Sequence, residues 1–285
     1  MKASLFLVVL LFGLFGTGCS NDKQKKKSEI SLKDSCYEQY SIKTGNTQPL
    51  RQIYIIIDQT TVFNDAIKEN LFEKIKPFFI PGSKITLVKF STFTDKYYTS
   101  IAKETLLDTP LTQELEDDTP ILKVKKFKKC IEAQSGDMVS VIPRFIEEIM
   151  DDSNATLGQS EILKMLKDVS DSKIQHSKAN EKIIFLVSDM LENSSVISFY
   201  DNNNIKAISS SVALSKIKSA DLLSDFSGAK VYVIGAGMVT NGHKNRSTAS
   251  IKSLKEFWEL YFKASNASLV GFGTPELMED IEIQE

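Results

Sequence analysis

Two aspartates stand where an open parallel sheet does its chemistry. Asp58 closes the apolar run Ile53–Ile57 (IYIII), and Asp189 follows Ile183–Val187 (IIFLV) after one serine. Ligands of such sheets bind beyond the carboxyl ends of the strands, so both carboxylates are placed to meet one. Thr60 adds a hydroxyl two residues past Asp58, and Thr156 lies in a polar loop between the two strands. Other chemistry finds no support. There is no P-loop, zinc motif or serine nucleophile elbow. Gly235-Ala236-Gly237 lacks the third glycine of a dinucleotide fingerprint. His176 and His243 are far apart in polar surroundings and read as solvated.

The elements that must position these residues alternate in type. Ile53–Ile57, Ile85–Phe90, Ile183–Val187, Val231–Ile234 and Leu269–Phe272 are apolar runs of strand length, with Tyr97–Ile101 an edge partner. Continuous runs of this kind suit strands buried on both faces of a parallel sheet. Between them, Phe63, Ile67, Leu71, Ile75 and Phe78 recur at helical spacing until Pro77 and Pro81-Gly82. Ile121–Ala133 and Val139–Met150 read as two helices, with Pro143 disturbing the second, and Leu106–Thr119 as an acidic loop. Ser160 is placed to cap a helix bearing Ile162, Leu163, Leu166 and Val169. Ala213–Phe226 and the stretch around Ile251–Phe262 complete the helical set, and Phe257, Trp258, Tyr261 and Phe262 read as core. Strands alternating with helices predict an α/β fold: a doubly wound, mostly parallel sheet flanked by helices, a Rossmann-like three-layer sandwich.

The chain of 285 residues is 42% hydrophobic and 25% charged, enough to bury one large core. Its first eighteen residues read differently. Lys2, the run Leu5–Phe15 and Gly16-Thr17-Gly18 form a cleavable secretory signal too short to span a bilayer. Its removal takes away Lys2 alone among charged residues, so the net charge of −2 becomes −3. That offers no field for nucleic acid. The runs Lys23–Lys27 and Lys123–Lys129 read as a solvated linker and a helix face. Residues 19–50 are polar and lysine-rich, a tether in which only Cys36–Tyr40 looks anchored. The folded domain is expected over 51–275, with an acidic tail at 276–285.

Cys19, directly after the small residues, resembles the lipobox of bacterial lipoproteins, with Gly16 where that family more often has Leu. The resemblance implies a diacylated thiol, cleavage before it and acylation of the new amino terminus. Three acyl chains, at roughly 0.8 kcal/mol per buried methylene, anchor permanently. The protein would then face the periplasm, and Ser20 leans towards the outer membrane of a Gram-negative cell. The remaining pair, Cys36 and Cys130, reads as one disulfide in that oxidising compartment, against the alternative of two unrelated thiols.

Asp58, Thr60, Thr156 and Asp189 together resemble the metal-ion-dependent adhesion site of von Willebrand factor A domains, over roughly 51–274. There Asp-x-Ser-x-Ser follows the first strand, a Thr comes from a later loop and an Asp follows the fourth strand. The resemblance implies a Mg²⁺ site whose open position accepts a carboxylate from a partner protein. Mg²⁺ favours octahedral oxygen ligands, and hydroxyls in place of carboxylates leave it hungry for an external anion. The pattern is degenerate here. Val62 falls on the second serine and cannot ligate, Thr61 is one residue off register, and Met190 stands where the family has Gly.

The expected function is therefore a lipid-anchored, non-enzymatic domain that binds envelope proteins. Two alternatives are a metal-free structural subunit of a secretion or conjugation assembly and a metal-dependent hydrolase. The latter lacks a visible general base near Asp58. In a site without metal, Asp58 and Asp189 are strand-end polar residues, Asp58 capping the next helix.

Overall fold

The runs IYIII and IIFLV are adjacent strands at the centre of a six-stranded sheet. The computed structural model describes residues 35–43, 48–91, 99–153, 160–201, 204–238, 247–281 and 283. Strands β1 (Arg51–Asp58), β2 (Ser83–Phe90), β3 (Thr99–Leu106), β4 (Glu181–Val187), β7 (Ala229–Ile234) and β8 (Ala267–Phe272) lie in the order β3-β2-β1-β4-β7-β8. All pairs are parallel except β2 with the edge strand β3. A small hairpin, β5 (Tyr200–Asp201) and β6 (Asn204–Ile205), follows β4.

Side chains of a strand alternate between faces, and both faces are apolar here. Tyr54, Ile56, Ile184, Leu186, Val231 and Val233 point to a cluster closed by α5 (Ile162–Val169), α6 (Ser210–Ser219) and α7 (Thr248–Ala264). Phe257, Trp258, Tyr261 and Phe262 of α7 are fully buried there, as core. Ile53, Ile55, Ile57, Ile183, Phe185 and Val187 point to a second cluster, closed by α2 (Asp65–Ile75) and α4 (Ile121–Asp151). The result is an α/β three-layer sandwich.

Several boundaries differ from the sequence reading. The two helices expected over Ile121–Ala133 and Val139–Met150 are one helix, α4, which runs unbroken through Gln134–Met138 and includes Pro143. An interior proline costs about 3 kcal/mol, and Ile142, Ile146, Ile149 and Met150 carry the helix past Pro143 by burial. The acidic loop after Leu106 contains a short helix, α3 (Gln113–Asp117), capped by the Thr112 hydroxyl. α6 ends at Ser219, well before Phe226.

Residues outside 51–275 also pack on the domain, among them Cys36–Tyr40, the part of 19–50 read as anchored. Within the supposed tether, α1 (Cys36–Gln39) docks on α4, and Cys36 and Cys130 are disulfide-bonded. Cys36, Tyr37, Ile42, Leu111, Val124, Phe127, Cys130 and Ile131 form a third, satellite cluster. In the supposed acidic tail, Leu277 is buried and exchanges backbone hydrogen bonds with the Asn70 side chain. Cys19, the expected lipidation residue, lies outside the described residues, as does Thr156.

Candidate functional site

β1 stops at Asp58, and its carboxylate is fully buried at the carboxyl end of the sheet. Oδ1 accepts from the Thr60 amide at 2.9 Å and the Thr60 hydroxyl at 2.6 Å. Oδ2 accepts from the Ser188 hydroxyl at 2.9 Å and the Ser160 hydroxyl at 3.4 Å. Burial raises the affinity of Asp58 for its proton, and these donors oppose it. Asp58 does not cap the next helix. Asn64 does, its Oδ1 accepting from the Ile67 amide at 3.1 Å.

Asp189 leaves the end of β4, the strand paired with β1. Its Oδ1 accepts from the Leu191 amide at 2.9 Å, and the Tyr200 hydroxyl lies 3.4 Å from Oδ2. Thr61 also donates to it. Burial first, and then the charge of Asp58, push Asp189 up to about 7. Burial likewise raises Tyr200. Two buried carboxylates thus share one end of the sheet, and no ion pair with Lys or Arg holds either among the described residues.

The backbone here is pinned. The Asp189 carbonyl accepts from the Gly237 amide at 2.8 Å. Met190 follows in the left-handed region at φ 61°, its carbonyl held by Trp258 Nε1 at 2.9 Å and its amide by Ser188 Oγ at 3.0 Å. A non-glycine residue costs about 1–2 kcal/mol in that region, which the surrounding contacts offset. Gly235-Ala236-Gly237 is part of the same support. At φ 93°, a Cβ on Gly235 would lie 2.8 Å from the Phe63 ring. That close packing explains the glycine without a nucleotide.

The sequence reading therefore located Asp58, Thr60 and Asp189 at one pole and placed Thr61 and Ser160 wrongly. Thr61 bonds Asp189 because the chain turns at once after Asp58, so strand alternation no longer applies. Ser160 does not cap α5, whose cap position is Glu161 without a side-chain bond. Instead Glu192 holds that end, Oε2 accepting from the Leu163 amide at 3.0 Å. Ser160 faces Asp58 and lies 3.4 Å from Thr60 Oγ1. Ser188 was also missed, though its place between β4 and Asp189 was a usable signal. Val62 is 46% exposed and takes no part.

No three His, Cys, Asp or Glu side chains gather around one point among the described residues, so a cation here needs hydroxyl ligands. The donor set fits a hard ion. Thr60 and Ser160 present two hydroxyl oxygens bonded to one carboxylate at 3.4 Å spacing, near the roughly 3 Å between neighbouring oxygens around Mg²⁺. When bound, Mg²⁺ would supply the missing positive charge and coordination positions for an outside anion. Asp58, Asp189, Thr60 and Ser160 would hold it.

No protein-family model matches the chain, and no curated protein matches it. Among solved structures it is similar to the pilus adhesin SpaC of Lactobacillus rhamnosus GG in its open conformation. That likeness has 13% identity and a TM-score of 0.38, covering 79% of this chain and 28% of the adhesin. It is also similar to an aerotolerance-related membrane protein from Bacteroides fragilis NCTC 9343, at 11% identity and a TM-score of 0.33, covering 78% of this chain and 92% of that one. This chain thus spans 28% of the adhesin's length. Among the described residues, no helix is long and apolar enough to cross a membrane.

Proposed function

We propose that this chain is a lipid-anchored, non-enzymatic domain of the cell envelope. It binds a carboxylate-bearing partner protein through a divalent cation, in the manner of a von Willebrand A domain. The observation that supports the reading is the pair Asp58 and Asp189. Both carboxylates are buried at neighbouring strand ends and, among the described residues, meet neutral donors only. Uncompensated buried anions are costly unless paired or bound to metal. Thr60 and Ser160 then act as neutral ligands, with Thr156 in the role the resemblance gives it, and Cys19 carries the anchor.

A second reading has its own observation. Each Asp58 oxygen accepts two protein donors, Thr60 N–H and O–H on one and the Ser188 and Ser160 hydroxyls on the other, which suits a carboxylate held by hydrogen bonds alone. In that case the domain is a metal-free structural subunit of an envelope-spanning assembly. A pull-down from solubilised envelopes separates the two. Partners that elute with EDTA and rebind with Mg²⁺ support the adhesion reading, and partners indifferent to both support the structural one.

A further inference from the structure

Helix α4 does not end with the sheet. Near its carboxyl end, the Ile149 carbonyl accepts from Gln59 Nε2 at 3.1 Å, beside the end of β1. Lower down, Gln134 is locked to Asp108: the Asp108 amide donates to Oε1 at 3.0 Å and Nε2 donates to Oδ2 at 2.8 Å. Asp108 follows β3, and the adjoining Leu107 amide bonds the Ser83 carbonyl at the start of β2. Gln134 is therefore level with the amino edge of the sheet. At 1.5 Å per residue, Ile121–Ala133 carry α4 about 20 Å beyond that edge.

The chain enters the domain on this overhang. The Asp108 carboxylate receives the Cys36 amide at 2.6 Å and the Ser35 hydroxyl at 2.9 Å. Cys36 is bonded to Cys130, and the Tyr37 and Phe127 rings meet edge-on at 4.7 Å. The entry point thus lies at the pole opposite Asp58 and Asp189.

The face of the overhang turned away from this cluster is unusual for a solvated helix. Ile121 and Leu122 are each 71% exposed. Lys125, Lys126 and Lys129, exposed as well, share the face of Leu122 by helical spacing. Lys128 is drawn aside to Glu116 at 2.8 Å, so the acids of α3 lie on the flank with Lys128. Asp117, Asp118 and Glu132 are exposed nearby and temper the positive charge. Two bare apolar residues ahead of a lysine stripe share with interfacial segments the pairing of an apolar tip and cationic side chains behind it.

We propose that this tip of α4 contacts an anionic phospholipid bilayer. Ile121 and Leu122 enter the boundary between headgroups and acyl chains, and Lys125, Lys126 and Lys129 meet lipid phosphates. The proposal rests on lipidation of Cys19, because the lipid-bearing end of the chain joins the domain at Ser35, on this pole. The contact is then effectively intramolecular, and a weak one suffices. Its consequence is directional: the Asp58–Asp189 end is presented away from the membrane, towards a partner.

The test uses the full lipidated protein in vesicles of phosphatidylethanolamine and phosphatidylglycerol with brominated acyl chains. Trp258 is fully buried and gives a constant background. Leu122→Trp reports the tip and Val62→Trp the opposite pole, with Ile121→Trp as a second tip reporter. Tip emission should shift blue on reconstitution and be quenched about threefold or more above the Val62→Trp signal. Equal quenching at both poles, or none at either tip position, overturns the proposal. So does a tip shifted already in vesicle-free Cys19→Ser protein that sediments as a dimer, since a second copy then covers it. Mass spectrometry separates the two readings. Lipid on Cys19 with an unquenched tip removes only this inference, and a Cys19 without lipid removes the anchor and this inference with it.

Discussion

Asp58 and Asp189 leave the carboxyl ends of paired parallel strands, and the charge of the first raises the proton affinity of the second. Between them they gather hydroxyl and amide donors from four stretches of chain, and no cationic side chain among the described residues. A fold that needed only polar strand ends would gain nothing from placing two acids there. Under the proposed reading a divalent ion would make the arrangement favourable, which gives the first prediction.

Asp189→Asn should lose Mg²⁺ binding and gain stability in EDTA. The amide keeps an acceptor for the Leu191 amide while removing repulsion from Asp58. A rise of a few degrees in Tm is the expected scale for about 1 kcal/mol. Calorimetry on the wild type sets the reference. No heat of Mg²⁺ binding at millimolar concentration, or an unchanged Tm in the variant, would favour the metal-free structural reading.

Asp58→Ala behaves differently. It leaves the Thr60, Ser160 and Ser188 hydroxyls without their acceptor in a closed site, at a cost of about 1–3 kcal/mol. Asp58→Asn keeps one carbonyl oxygen and most of the shape, so it should cost less while still losing Mg²⁺. Urea denaturation of the two variants checks the order. Equal stability would mean that the hydroxyls find other partners.

How far the chain could be read follows from which forces act locally. The buried strands were legible because IYIII and IIFLV are apolar throughout, which only a sheet covered on both faces explains. Their terminal aspartates came with them. Ser160 was not legible, because its partner Asp58 is distant in sequence and a lone serine before a helix looks like a cap. Thr61 was set aside as one residue off the register of the Asp-x-Ser-x-Ser pattern, yet the turn after Asp58 brings it to Asp189. The break expected between Ala133 and Val139 does not occur, because local propensity could not register the burial of Gln134 and Met138 there. The resemblance to a von Willebrand A site supplied the pairing of Asp58 with Asp189, and the adjacency of β1 and β4 meets the condition that pairing required.

Glu192 gives a pH signature. Burial, only partly offset by the amides of α5, pushes it up to about 8 from an ordinary value near 4.5. Across that interval the folded protein holds a proton that the unfolded chain has released. Stability therefore falls as pH rises from about 4.5 to about 8 and levels off above. Glu192→Gln removes this contribution while keeping an acceptor for the Leu163 amide. Thermal unfolding in EDTA at pH 5, 7 and 9 should show a shallower fall in the variant, and parallel curves would contradict the assignment.

Cys19→Ser tests the address. The variant should leave the membrane fraction or accumulate unprocessed. Normal cleavage together with membrane retention after a carbonate wash would be incompatible with a lipid anchor.

The last prediction concerns the bond between Cys36 and Cys130. It closes a long loop, with a sequence separation of 94, and holds a cluster of only eight buried residues. A core that small needs a staple. Reduction should cost about 2–4 kcal/mol, mostly by restoring freedom to the unfolded chain. The loss should also be local first. The satellite cluster is separate from the two main clusters, which retain β1, β4 and the carboxyl half of α4. Hydrogen exchange on reduced protein should show the amides of Cys36–Ile42 and Val124–Ile131 losing protection before those of Ile53–Ile57 and Ile183–Val187. Asp108 and Gln134 mark the boundary, because their mutual bonds join the overhang to the sheet and do not depend on the disulfide. Uniform loss of protection would mean that the overhang and the sandwich unfold as one unit. Two free thiols per chain in protein purified from the periplasm would mean that the bond does not form there.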